Sequence, residues 1–345
     1  MVSQNEGDSQ IRQYVATQKG GPFAVTHAPY PTPGPNELCI RNVAVGLNPL
    51  DWKNLYHGEM VKAWPEIFGI DTAGIVVAVG ENVTAFKPGD AVMSLSGHGG
   101  RAGAFQDVTT VPANFATRKP VDWTFEEACS VPICYLTAAA AVAKGLGVSL
   151  FQDQAASNAL PLNSILVLGG SSGVGASAVQ LLRAALPHAA ILTTNSRKHN
   201  VHVLSLGATA CIDRNEPDIV AAIRAASPTG QGVDAILDAV AGVPDNGQLF
   251  ETLRSDGPRL YSQVFTGTHQ LAIPERVSAQ TVFGRMVFQM PGGFWAMEKL
   301  SEMVSRGQFK LPLRVVVVGK GLEAIGSGLE ILRAGVSGTK LVVSL

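Results

Sequence analysis

Leu168-Gly169-Gly170-Ser171-Ser172-Gly173-Val174-Gly175 is the stretch on which the reading of this chain turns. It follows the apolar run Ser164–Leu168, which has the length of a buried strand. It opens Val174–Leu186, a helical pattern that ends before Pro187. A glycine-rich turn between strand and helix brings unpaired backbone N–H groups to the positive end of a helix dipole, where an anion is favoured. Gly170 is expected to permit the tight turn, Ser171, Ser172, Gly173 and Val174 to face a pyrophosphate, and Gly175 to let helix pack on strand. Ser172 stands where the usual G-x-G-x-x-G has its middle glycine, with Gly173 beside it. The alternative for such a motif is a purely structural turn, so its context has to decide.

Downstream, short β-branched runs alternate with helical ones. Ala190–Thr194 reads as a strand, Val201–Leu206 as a helix, Ala210–Ile212 as a strand and Asp218–Ala226 as a helix. Val233–Leu237 is a strand, Gly247–Leu253 a helix and Arg259–Val264 a strand. Such alternation implies βαβ units and a parallel sheet, the Rossmann arrangement. The second strand ends in Thr193-Thr194-Asn195-Ser196-Arg197-Lys198-His199. A site for NAD usually carries an acid there, gripping the ribose 2′-hydroxyl. This chain offers a hydroxyl, a guanidinium and an ammonium, which attract a 2′-phosphate. The expectation is therefore NADPH, held by Gly170–Val174, Ser196, Arg197, Lys198 and His199. The alternative for Arg197 and Lys198 is the solvated start of a helix.

Upstream, residues 11–120 read as short strands and turns forming a compact β-barrel. Leu38–Gly46, Gly74–Val79 and Ala91–Leu95 are strands, and Lys87-Pro88-Gly89-Asp90 is a turn. Gly145–Asn163 is an irregular insertion expected at the surface. After the Rossmann pattern, Met297–Arg306 and Leu322–Arg333 are helices, Leu313–Val318 and Lys340–Ser344 strands. The expected division is residues 124–308 for the nucleotide domain, and 1–123 with 309–345 for a substrate domain.

Composition excludes several classes. Apolar residues make up 46% and charged ones 15% of 345 residues, enough for two cores. A net charge of −1 leaves no basic footprint for nucleic acid or an anionic membrane. The longest apolar stretches, around Tyr135–Val142 and Leu313–Val318, fall short of the ~20 residues a bilayer requires. The polar start, Met1–Gln10, has no signal-peptide pattern, so a cytoplasmic location is expected. Cys39, Cys129, Cys134 and Cys211 are scattered and read as small buried hydrophobes. Neither they nor the 7 histidines have metal-ligand spacing.

Four further segments carry a resemblance. They are Val45-Gly46-Leu47-Asn48-Pro49-Leu50-Asp51-Trp52-Lys53, Phe68-Gly69-Ile70-Asp71-Thr72-Ala73-Gly74, Phe86-Lys87-Pro88-Gly89-Asp90-Ala91-Val92 and Gly103-Ala104-Phe105-Gln106-Asp107. Together they resemble motifs of the medium-chain dehydrogenase/reductase superfamily, with a Rossmann domain and a GroES-like β-barrel domain. The superfamily's zinc branch has a cysteine, a Gly-His-Glu turn and a four-cysteine lobe. Here Asn48 and Asp51 stand in the first loop, Ile70 at the His position and Asp71 at the Glu position, and the lobe is absent. A zinc-free branch is implied. Within it, Asp51-Trp52-Lys53, Cys134-Tyr135-Leu136-Thr137-Ala138, Ser196–His199, Val282-Phe283-Gly284 and Gly335–Leu341 resemble the trans-acting enoyl reductases of fungal polyketide synthases. One departure is Asp213, where relatives often have Tyr near the adenine ribose.

The resemblance implies hydride transfer to the β-carbon of an enoyl thioester carried on a synthase's acyl carrier protein. Lys53 and Thr137 are the candidate catalytic residues, Thr137 being placed at the start of a helix. Leu50, Asp51, Trp52, Lys53, Asp213, Gln263, Val264, Val336 and Ser337 are further cofactor candidates. Tyr135, Leu136, Thr137, Val282, Phe283, Gly284, Arg285 and Met286 are expected to bind substrate, and Tyr56 and Tyr135 are possible acids. Two other readings stand beside this one: a quinone or small-enone reductase on free substrates, and an NADPH-binding regulatory protein without catalysis.

Overall fold

The computed structural model describes residues 10–97, 99–151, 161–267 and 271–345. Contacts divide the chain into two compact units, Met1–Ile133 with Arg314–Leu345, and Cys134–Leu313.

The first unit begins with the antiparallel hairpin β1 (Gln10–Ala16) and β2 (Phe23–Pro29). β3 (Glu37–Gly46) follows, then α1 (Pro49–His57), β4 (Asp71–Val79), β5 (Ala91–Leu95), β6 (Val108–Pro112) and β7 (Ala116–Arg118). A short helix, α2 (Phe125–Ala128), is capped reciprocally: Glu127 N–H donates to Thr124 Oγ1 at 3.1 Å, and Thr124 N–H to Glu127 Oε2 at 2.8 Å. It packs on β3 and β4, so it belongs to this unit although the helix-rich sequence pattern starts at Thr124.

α3 (Pro132–Ala140) runs from one unit into the other, the division falling between Ile133 and Cys134. The second unit then holds β8 (Ser164–Leu168), α4 (Gly173–Ala185), β9 (Ala190–Asn195), α5 (Asn200–Ser205), β10 (Ala210–Asp213), α6 (Ile219–Ala226), β11 (Ala235–Asp238), α7 (Gly242–Asp245), β12 (Leu260–Val264), β13 (Ser278–Val282) and α8 (Ala296–Ser305). The sheet order is β10-β9-β8-β11-β12-β13 and every pairing is parallel. Numbered within the unit this is 3-2-1-4-5-6, the doubly wound order, with its switch point between β8 and β11. All five residues of β8 are buried, as expected of a strand covered on both faces. Its core joins Leu166, Leu168, Leu192, Ile212, Ile223, Ile236, Phe250 and Tyr261.

β14 (Arg314–Lys320), α9 (Ala324–Ala334) and β15 (Thr339–Ser344) return to the first unit and complete its seven-stranded sheet. Its principal core contains Val45, Leu47, Phe68, Phe105, Ile325, Leu329, Leu341 and Val343. Full burial of one such side chain stabilises by roughly 1.5–3 kcal/mol.

Three expectations change. Residues 49–57 are a helix and not a loop; Asn48 before Pro49, with Asp51 at the third helical position, was the start signal. The described flanks of Gly145–Asn163 turn inward, with Leu146, Val148, Phe151 and Leu162 buried, while 152–160 lie outside the described residues. Finally, the helical run Phe125–Gly145 has 21 residues and is apolar enough to cross a membrane, yet 89% of its apolar window is buried inside the fold. Its apolar surface is consumed by packing.

Candidate functional site

In the second unit the strands are parallel, so their carboxyl ends share one edge. Leu168 pairs with Thr194 and Asp238, Asp213 with Asn195, Asp238 with Gln263, and Val264 with Val282. The glycine turn, Ser196–His199, Asp213, Gln263–Val264 and Val282–Met286 therefore lie along that edge, where ligands of this architecture bind.

The glycine turn works differently from the expectation at one position. Gly169, with φ +79°, takes the left-handed turn conformation. Gly170 is required instead by close approach, because a Cβ there would stand 2.7 Å from Thr193 Cβ. A Cβ on Gly175 would run into the carbonyl oxygen of Gly169, which keeps α4 tight on the turn. Ser172 caps α4, its Oγ accepting from Gly175 N–H at 3.0 Å. Gly169 and Gly170 N–H groups donate to Thr194 O at 3.1 and 3.0 Å. Gly173 and Val174 open the helix, so their N–H groups have no intrahelical acceptor and are available to an anion. The cradle fits a diphosphate.

The turn after β9 is fixed from inside. Asn195 Nδ2 donates to Asn200 Oδ1 at 2.7 Å and to Ser196 O at 3.2 Å. Arg197–His199 forms one 3₁₀ turn with Ser196 preceding it. Arg197 and Lys198 are exposed. Partial burial and the neighbouring cations, Lys198 first, hold His199 below the usual imidazole range. Asp213, expected beside the adenine ribose, has its Oδ2 engaged by Arg197 Nε at 2.7 Å.

Thr137 is a correction. It is the sixth residue of α3, buried, and does not open the helix. Tyr135 and Leu136, from the same helix, are fully buried, and Tyr135 packs edge-to-face on Phe309 with ring centroids 5.6 Å apart. Burial pushes the Tyr135 hydroxyl well up from its ordinary value, against a role as proton donor. Val282 and Gly284 are buried and Met286 half-buried. Phe283 and Arg285 are exposed, and Phe283 rests against Phe265. Val336 and Ser337 are exposed and Gln263 and Val264 end β12.

In the first unit, α1 carries Leu50, Asp51, Trp52 and Lys53. Lys53 Nζ stands 5.8 Å from the Trp52 ring centroid. Asp51 departs from its expected cofactor role: it is fully buried, and its oxygens accept from Asn48 N–H at 2.8 Å and Gly69 N–H at 3.2 Å. Desolvation raises its carboxyl to about 7. Tyr56, the other candidate acid, donates to Glu330 Oε1 at 2.5 Å and lies 4.1 Å beneath the Arg333 guanidinium.

A polar cluster in this unit escaped the sequence reading. Lys340 Nζ, buried, donates to Asn48 Oδ1 at 2.6 Å and Asp71 Oδ2 at 2.9 Å. Asn48 Nδ2 reaches Asp71 Oδ2 at 2.9 Å, and Asp71 Oδ1 accepts from Ile133 N–H, at the start of α3, at 2.8 Å. The available signal was a lysine opening an otherwise apolar strand, Lys340-Leu341-Val342-Val343. These oxygens surround an ammonium, and the nitrogen and sulfur donors Zn²⁺ prefers are missing from them. Among the described residues no group of three or more His, Cys, Asp or Glu could hold a metal ion.

Comparison with known proteins extends these observations. Residues 34–121 match the alcohol dehydrogenase GroES-like domain. The chain is 34% identical to a protein named dehydrogenase orsE from Emericella nidulans over 357 residues, 95% of this chain and 97% of the relative. It is 31% identical to trans-enoyl reductase tndF from Aspergillus flavipes over 96% of this chain and 98% of that protein. A crystal structure of an alcohol dehydrogenase superfamily protein from Novosphingobium aromaticivorans superposes with a TM-score of 0.80 at 26% identity, covering 97% of this chain and 99% of the other. The 3-2-1-4-5-6 sheet, the glycine turn and the GroES-like unit thus occur together, and the chain belongs to the medium-chain dehydrogenase/reductase superfamily of oxidoreductases.

Proposed function

We propose that the protein is an NADPH-dependent, zinc-independent enoyl reductase that acts in trans on an α,β-unsaturated thioester held by the acyl carrier protein of a polyketide synthase. The observation that carries this reading is the end-to-end likeness to a protein named trans-enoyl reductase. The cofactor choice is supported by the hydroxyl and two cations of Ser196, Arg197 and Lys198 after β9. Zinc independence is supported by the buried ammonium of Lys340 among Asn48 and Asp71. A cytoplasmic location accompanies the reading.

NADPH, when bound, supplies the hydride that reduces the alkene at its β-carbon. Gly170 leaves room for its diphosphate, which Ser171, Ser172, Gly173 and Val174 hold, and Ser196, Arg197, Lys198 and His199 hold its phosphorylated ribose. Leu50, Trp52, Lys53, Gln263, Val264, Val336 and Ser337 orient the remainder. Tyr135, Leu136, Val282, Phe283, Gly284, Arg285 and Met286 shape the acyl site. The Thr137 hydroxyl donates to the thioester oxygen as it gains charge. Lys53 Nζ supplies the proton that the α-carbon takes up.

The test is stopped-flow oxidation of NADPH with a simple enoyl thioester, run beside a quinone. Turnover of the thioester is expected. Turnover of the quinone alone would replace the reading with the free-substrate one, and turnover of neither would leave a nucleotide-binding protein without catalysis.

A further inference from the structure

The guanidinium that follows the second Rossmann strand is already engaged. Arg197 Nε donates to Asp213 Oδ2 at 2.7 Å, and an Arg197 η-nitrogen donates to Glu216 Oε1 at 3.1 Å. The two acids bind different nitrogens of one planar group, which fixes its direction. Asp213 is itself anchored. It ends β10 in register with Asn195, and its Oδ1 accepts from Asn215 N–H at 3.0 Å. Its side chain is 16% exposed, against 75% for Arg197, so the acid is the fixed partner and the cation the one that was led to it. Among the described residues Lys198, on the same turn, takes part in no ion pair.

We propose that Asp213, assisted by Glu216, sets the cofactor selectivity of this chain by competing with the 2′-phosphate for Arg197, so that Lys198 carries the larger share of phosphate recognition. The inference rests on the NADPH reading. A phosphate placed at this turn must draw Arg197 away from two carboxylates or accept their repulsion. A cofactor without the phosphate meets neither cost. Exposed ion pairs change an equilibrium by about two- to fivefold each, and salt weakens them. The preference for NADPH is therefore smaller than two free cations would give.

The experiment measures dissociation constants for NADPH and NADH by fluorescence titration of the full chain. It uses the unsubstituted protein, Asp213→Asn, Arg197→Ala, Lys198→Ala and the double variant Asp213→Asn/Arg197→Ala. Asparagine keeps the Oδ1 acceptor for Asn215 and removes only the charge. The expected result is NADPH binding at least threefold tighter in Asp213→Asn, NADH changed less than twofold, and the gain lost in the double variant. Arg197→Ala alone weakens NADPH less than Lys198→Ala does. An unchanged NADPH-to-NADH ratio in Asp213→Asn, a gain that survives loss of Arg197, or a greater loss from Arg197→Ala than from Lys198→Ala would overturn the inference alone. Binding of neither nucleotide by the unsubstituted protein would overturn the cofactor reading, and the inference with it.

Discussion

Lys340 and Asp71 form a buried ion pair, with Nζ 2.9 Å from Oδ2 and side chains 7% and 0% exposed. Asn48 completes the arrangement by accepting from Lys340 and donating to Asp71. One contact thus joins the last strand, the turn before α1 and the start of β4. Removing one member of such a pair leaves an uncompensated buried charge, which typically costs about 3–5 kcal/mol. Lys340→Met should lower unfolding stability by that order in urea denaturation. Lys340→Met/Asp71→Leu should lose less than Lys340→Met alone. Equal or greater loss in the double variant would show that the charge pairing is not what holds these elements together.

Asp51 gives a pH signature of the opposite kind to most carboxyls. Its folded value is raised to about 7, first by desolvation, with Asp71 adding repulsion. An unfolded aspartate titrates near 3.9. Between these values the folded chain keeps a proton that the unfolded chain releases. The contribution of this group is thus full below about pH 4 and declines as pH rises to about 7. Each pH unit in that window is worth roughly 1.4 kcal/mol at most. Urea midpoints for the unsubstituted protein should fall from pH 5 to pH 7.5 more steeply than those of Asp51→Asn. Parallel profiles would place the titration elsewhere.

Much of the second unit was legible because parallel strands advertise themselves. Ser164–Leu168 and Ala190–Thr194 are apolar runs of strand length followed by helical patterns, and the strands observed are Ser164–Leu168 and Ala190–Asn195. β13 escaped, since Ser278-Ala279-Gln280-Thr281-Val282 lies at the sheet edge with three of its residues exposed and has no continuous apolar signal. The helix at Pro49–His57 escaped because its run is short and mixed, though its capping residues were in plain sight. Asp213 stands out in the sequence only through the family resemblance, and its engagement by Arg197 depends on two strands ending side by side, a relation no linear spacing contains.

The glycine turn makes a sharp prediction. A methyl at Gly175 would collide with the Gly169 carbonyl, a backbone group that cannot rotate away. Gly175→Ala should weaken NADPH binding more than tenfold in fluorescence titration. Gly247→Ala, where a Cβ meets nothing within 4 Å, serves as control and should leave binding within twofold. Equal binding by both variants would remove the turn from the nucleotide site.

Lys53 and Tyr135 should separate kinetically. Lys53→Ala should lower kcat for an enoyl thioester at least tenfold, as loss of a positioned proton donor does, with an unchanged melting temperature. Tyr135→Phe should keep kcat within about threefold, because burial already denies the hydroxyl an acid's role. A large kcat loss in Tyr135→Phe with Lys53→Ala silent would reverse the assignment.

Nucleotide recognition by the glycine turn and the cations after β9 is tested most directly by a calorimetric titration of the purified chain with NADPH and then with NADH. One NADPH per chain should bind, several-fold more tightly than NADH, with an advantage that shrinks as salt is raised. Heat from neither nucleotide, or equal affinity for the two at low salt, would contradict it.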